Sequence, residues 1–117
     1  IQELKGQPAL LATIRDAYNS TMANQDPLTI SIIGLISSRL NDHENAVKAF
    51  KRLVELQPDS MEAQQNYTLV LSDAQQYAEA TIQAQKLESL AIAKGITNTS
   101  LMPYTQLINF LSARANP

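Results

Sequence analysis

The stretch NDHENAVKAF, Asn41 to Phe50, holds the chain's single histidine, His43, between Asp42 and Glu44. An imidazole beside carboxylates has the makings of a general base, a metal ligand or a pH switch. Each role makes a further demand. A hydrolytic site needs a nucleophile and an oxyanion hole, and no Gly-x-Ser-x-Gly stretch occurs. Cysteine is absent, which removes thiolate nucleophiles, CxxC redox pairs and cysteine-based zinc sites. A metal needs several converging ligands, whereas Asp42, His43 and Glu44 are consecutive and point different ways at a helix start. The positive end of a helix already favours Asp42 and Glu44. Asp59 and Glu62 stand at another helix start, where capping explains them better than paired-carboxylate chemistry. There is no glycine-rich phosphate loop. The expectation is a non-enzymatic chain with no catalytic, cofactor-binding or metal-binding residues.

The elements that carry these residues are short helices. The chain has 117 residues, enough for one domain with its own core and no staples. Gly (3) and Pro (5) are scarce, and β-branched residues never alternate cleanly, so helix is favoured over strand. Net charge is −2, and Lys48, Lys51 and Arg52 form the one basic cluster, too little for nucleic acid. No apolar run approaches the roughly 18 residues of a membrane span, and no signal-peptide pattern is visible. The chain starts at Ile1 rather than Met, as a processed product or an excised piece would. The lack of cysteine does not fix a compartment.

Residues 7–23 carry Leu10, Leu11, Ile14, Ala17, Tyr18 and Met22 in one helical stripe, after a segment closed by Gly6. Asp26-Pro27 is a strong helix start. The helix it opens is apolar on more than one face through Ile30, Ile32, Ile33, Leu35 and Ile36, so it should lie between neighbours. The next helix runs from the NDHEN turn to about Gln57 and stops before Pro58. Asp59 or Ser60 caps a third, SDAQQ turns the chain, and a longer helix ends at Gly95. The loop ITNTS offers N-caps to a last helix with Pro103 in its first turn. Short turns make neighbouring helices antiparallel.

The second and fourth of these turns echo one another. NDHENAVKAF from Asn41 and QQYAEATIQA from Gln75 are offset by 34 residues, with Ala46 on Ala80, His43 on Tyr77, Phe50 on Ala84 and Leu53 on Leu87. That is the period of one helical repeat, and this segment resembles the tetratricopeptide repeat family. The resemblance implies an all-α, right-handed superhelix of antiparallel helix pairs, about six to seven helices over residues 1–117. It divides the chain into a degenerate half-repeat 1–26, a repeat 27–60, a repeat 61–95 and a terminal or capping helix 101–115. Ile30, Ile33, Gly34, Ala46, Phe50, Leu53 and Pro58 fit the first repeat, with Ser37 where a tyrosine is usual. Tyr67, Leu71, Tyr77, Ala80 and Leu87 fit the second, which departs from the pattern at Thr68 and Ile92.

The resemblance also implies a function: a scaffold that binds a protein or peptide partner on the concave face formed by the first helix of each pair. Leu28, Ser31, Leu35, Ser38 and Arg39 would line it from one repeat, and Glu62, Gln65, Asn66, Leu69, Ser72 and Asp73 from the next. Asparagine and glutamine can hold a peptide backbone by its N–H and C=O groups. Asn66 matches one position of the family's carboxylate clamp, but Ser31 and Leu35 occupy two others, which speaks against that clamp. No nucleic acid and no membrane insertion of this segment are expected, and stacking of exposed ends into a homo-oligomer is open. Alternatively, the chain is an accessory or regulatory domain of a larger enzyme or of a membrane-tethered assembly or secretion factor. A small residue at Ala46 lets two helices meet, so Ala46→Leu should destabilise the domain by roughly 1–3 kcal/mol in chemical denaturation. His43→Tyr, which copies Tyr77, should leave stability and binding within error.

Overall fold

The structure is a computed structural model that describes Asp16 and residues 26–116. The helix expected over 7–23 and the half-repeat 1–26 fall outside the described residues, Asp16 and Asp26 excepted. The described chain is all-helical, with no strand. It comprises α1 (Pro27–Arg39), α2 (His43–Leu56), α3 (Met61–Asp73), α4 (Tyr77–Ala93), a short 3-10 helix (Asn98–Leu101) and α5 (Met102–Ala115). Consecutive α-helices pack on one another in order, α1 on α2 through to α4 on α5.

Local chemistry sets these boundaries. Asp26 caps α1, its carboxylate accepting from the Leu28 N–H at 3.2 Å and the Thr29 hydroxyl at 2.6 Å. The Thr29 hydroxyl is the largest of the contacts that hold the Asp26 pKa below its ordinary value. Asp42 caps α2 through the Asn45 N–H, and Ser60 rather than Asp59 caps α3 through the Ala63 N–H at 3.1 Å. The ITNTS expectation needs correction. Neither the 3-10 helix nor α5 has a side-chain cap, because the 3-10 turn occupies the backbone between Thr97 and Met102.

Three helices end in the same hydrogen-bonded turn. After α1 the Asn41 N–H donates to the Ser38 carbonyl and the Asp42 N–H to the Ser37 carbonyl. After α3 the Gln75 N–H donates to Ser72 and the Gln76 N–H to Leu71, and after α4 the Gly95 N–H donates to Ile92 and the Ile96 N–H to Ala91. This pattern needs a left-handed residue just beyond the helix. Asn41 (φ 57°), Gln75 (φ 62°) and Gly95 (φ 90°) supply it. Only the third is glycine, so the first two turns carry a steric cost for L-residues.

Burial repeats with the turns. In α1 and α2 the residues Ile30, Ile33, Gly34, Ser37, Ala46, Ala49, Phe50 and Leu53 are buried. Shifted by 34 they become Gln64, Tyr67, Thr68, Leu71, Ala80, Gln83, Ala84 and Leu87, all buried in α3 and α4. The two pairs fill this common frame differently. A Cβ added at Gly34 would meet Phe50 Cε2 at 2.9 Å and the Ala49 Cβ at 3.2 Å. Where the first pair sets Gly34 beside the Phe50 ring, the second has Thr68 and Ala84, each bulkier or smaller in the opposite sense. Where the first has Ile30 and Ala49, the second has a hydrogen-bonded glutamine pair. Gln64 Nε2 donates to the Gln83 side chain at 2.8 Å and to its carbonyl at 3.1 Å. Gln83 Nε2 donates in turn to Glu79 at 2.7 Å.

Helix α1 is expected to lie between neighbours, and the chain before it lies outside the described residues, Asp16 and Asp26 excepted. Among the described residues it packs on α2, and Ile32 and Ile36 on its outer side remain exposed. Val70, 34 residues after Ile36, is buried, and α2 packs on α3. Helix α5 closes the other end with Leu111 fully buried and Arg114 stacked over Phe110 at 4.3 Å. If the two pairs share one frame, importing the second pair's residues into the first should be compensatory. Gly34→Thr should cost about 2 kcal/mol by overpacking and Phe50→Ala about 3–5 kcal/mol by leaving a cavity. In urea denaturation the double variant should lose at least about 1 kcal/mol less than the sum; simple additivity would contradict the frame.

Candidate functional site

Residues on the same side of a helix recur every three or four positions, and this places the expected partner-binding residues along α1 and α3. Leu28, Leu35, Arg39, Gln65, Leu69, Asp73 and Glu62 are exposed, and Ser31, Ser38, Asn66 and Ser72 are half-buried. The structure brings only part of this set into one concavity. A pocket of about 260 Å³ opens between the N-terminal halves of α1 and α3, lined by Leu28, Ser31, Glu62 and Asn66. Leu35, Ser38, Arg39, Gln65, Leu69, Ser72 and Asp73 do not line it. They form an open surface further along, with Leu35 47 % and Leu69 43 % exposed. The terminal helix α5 packs on α4 and does not cover them.

The pocket also has lining that the sequence reading missed. Leu53 and Gln57, from the C-terminal end of α2, line it too. Gln57 is the residue at which α2 ends, its N–H bonded to the Leu53 carbonyl. The signal was present in Pro58, which forces the chain to turn there, but a turn alone does not say which groove it enters. Neither the Ser31 hydroxyl nor the Asn66 amide has a hydrogen-bond partner among the described residues. Both are therefore available to a ligand, beside a Leu28 side chain that is 70 % exposed.

A second, larger groove of about 510 Å³ runs between α2 and α4, with Tyr67 and Leu71 of α3 among its lining residues. Tyr67 is raised above its ordinary value of 10, first by burial, then by the nearby carboxylates of Glu79 and Glu55. No sequence pattern points to this groove: Val47, Val54, Tyr67 and Leu71 fit packing positions, and Lys48 and Lys51 fit a solvated helix face.

The opening stretch resolves into structure. Asp42 is a helix cap, His43 is half-buried at the first turn of α2, and Glu44 pairs with Lys48 at 3.0 Å on an exposed face. Such an exposed pair contributes little to stability. Among the described residues no group of three or more His, Asp or Glu side chains could hold a metal ion, and no helix is long and apolar enough to cross a membrane. Comparisons with protein-family models, curated proteins and solved structures gave no match to the chain.

The Tyr67 shift has a checkable sign. The folded state binds this proton more tightly than the unfolded state, so its contribution is fully present below pH 10 and is lost as pH rises through the folded value. The unfolding free energy of the wild type should therefore fall more steeply above pH 10 than that of Tyr67→Phe, measured by urea denaturation across that range.

Proposed function

We propose that the chain is a non-enzymatic helical-repeat domain of the tetratricopeptide type, which binds an extended peptide or partner segment across α1 and α3. Two features support the repeat reading: the 34-residue recurrence of eight buried positions and the recurrence of the helix-ending turns. On this reading the α1–α2 and α3–α4 pairs are successive units of a right-handed superhelix, and the first helix of each pair faces the ligand.

The observation that carries the binding reading is the pocket between α1 and α3. It sets an exposed leucine beside a hydroxyl and an amide that have no partner among the described residues. Asn66 can both donate to and accept from a peptide backbone, which fixes the direction of an extended segment. Leu28 covers an apolar side chain of that segment, and Leu35 and Leu69 extend the contact along the helices. Because these residues sit on packed helices rather than loops, little ordering cost is added on binding.

Selection of displayed random peptides on the intact chain, followed by titration of the survivors, tests this. Binders should lose roughly tenfold in affinity with Asn66→Ala and with Leu28→Ser, while circular dichroism stays unchanged. Failure to select any binder, or binders insensitive to both substitutions, would count against the assigned face.

A further inference from the structure

We propose that the groove between α2 and α4 is a second docking site, which takes an extended peptide segment carrying acidic side chains. The proposal does not depend on the α1–α3 reading, because its walls belong to the other helix of each pair. The groove is about 510 Å³ and includes Val54, Tyr67 and Leu71 in its lining. That gives it apolar surface to strip water from a ligand, where charged contacts gain strength.

Its charges do not cancel. Lys48 is already paired with Glu44 at 3.0 Å, and Glu55 with Arg52 at 3.3 Å. That leaves the ammonium groups of Lys51 and Lys86 against the carboxylate of Glu79, with the Arg52-paired carboxylate of Glu55 also in the lining. Glu79 is turned to accept from Gln83 Nε2 at 2.7 Å. Lys51 and Lys86 are exposed and have no partner among the described residues. They approach the groove from opposite walls, one on α2 and one on α4.

The floor adds a donor. Tyr67 is 6 % exposed, and its hydroxyl has no hydrogen-bond partner among the described residues. A phenol is protonated at neutral pH, so this hydroxyl can donate to an incoming backbone carbonyl. The chain of bonds from Gln64 through Gln83 to Glu79 holds one wall in place before a ligand arrives. Carboxylates spaced along an extended segment would meet Lys51 and Lys86 on the two sides, with an apolar side chain between them over Val54 and Leu71. A nucleic-acid backbone fits less well, since it would present a continuous run of phosphates to two lysines.

The probe is a short fluorescein-labelled peptide that alternates glutamate with valine, titrated by anisotropy against the full chain. Binding should weaken as salt is raised and fall roughly tenfold or more in Lys51→Glu/Lys86→Glu. Lys51→Gln/Lys86→Gln should fall less, and Tyr67→Phe a few-fold. The same peptide with glutamine for glutamate should not bind, and Leu28→Ser/Asn66→Ala should bind the acidic probe as the wild type does. No binding of the acidic peptide, equal binding of the glutamine peptide, or undiminished binding by the two lysine variants would each overturn the proposal. So would tighter binding of a labelled single-stranded oligonucleotide than of the acidic peptide.

Discussion

Helix α1 lies against α2 only as closely as the side chains between them allow. At Gly34 that limit is set by the Phe50 ring, which leaves no room for a Cβ without movement. Ala46 and Ala49, both fully buried, keep the rest of the contact thin. Much else follows from this approach distance. It brings the C-terminal end of α2 to the pocket between α1 and α3, so that Leu53 and Gln57 line it. Helix α2 also supplies a wall of the groove in which Tyr67 sits, through Val47 and Val54. A change at one small residue therefore reaches both grooves, since packed interiors transmit strain instead of absorbing it.

The second pair meets the same constraint with different chemistry. Thr68 is fully buried, and its hydroxyl donates to the Gln64 carbonyl one turn back at 2.9 Å. Gln64 and Gln83 are buried as a bonded pair instead of an apolar one. A fully satisfied network of this kind costs little, whereas one half-satisfied is expensive. The first pair carries the opposite irregularity. Ser37 is fully buried, and its hydroxyl has no hydrogen-bond partner among the described residues, where Leu71 stands in the second. An unsatisfied buried hydroxyl costs on the order of 1–3 kcal/mol. Each helix pair thus departs from an apolar core at a different place, while the buried positions and the turn after its first helix recur.

Much of this frame was legible in the sequence. Asp26-Pro27, Pro58 and Gly95 mark helix ends through backbone chemistry that needs no tertiary information, and all three stand where α1 begins, α2 stops and α4 closes. Gly34 and Ala46 were readable as close-approach residues because little else explains small side chains inside apolar helices. The pairing of glutamines was not readable. Gln64 and Gln83 look like surface residues in sequence, and only the register between α3 and α4 brings them together. The left-handed Gln75 was equally hidden, since nothing in its type favours that conformation. Of the candidate partner-binding residues, the stripe along each helix followed from period, but which of them share a pocket depended on how α2 ends. The α2–α4 groove was missed altogether, because Tyr67 and Leu71 are buried at their bases and so looked like core alone.

A structural unit spanning residues 27–60 should tolerate a second copy of itself in the same chain. The most direct measurement is thermal unfolding, followed by circular dichroism, of a chain with a second copy of residues 27–60 inserted after Ser60. The inserted copy keeps the Gly34–Phe50 contact and presents Ile32 and Ile36 to the preceding α2. The account predicts a gain in helical signal matching two added helices, one cooperative transition and a higher midpoint, as stacked repeats add interfaces. A separate low-temperature transition for the insert, or a lower midpoint with lost cooperativity, would contradict it.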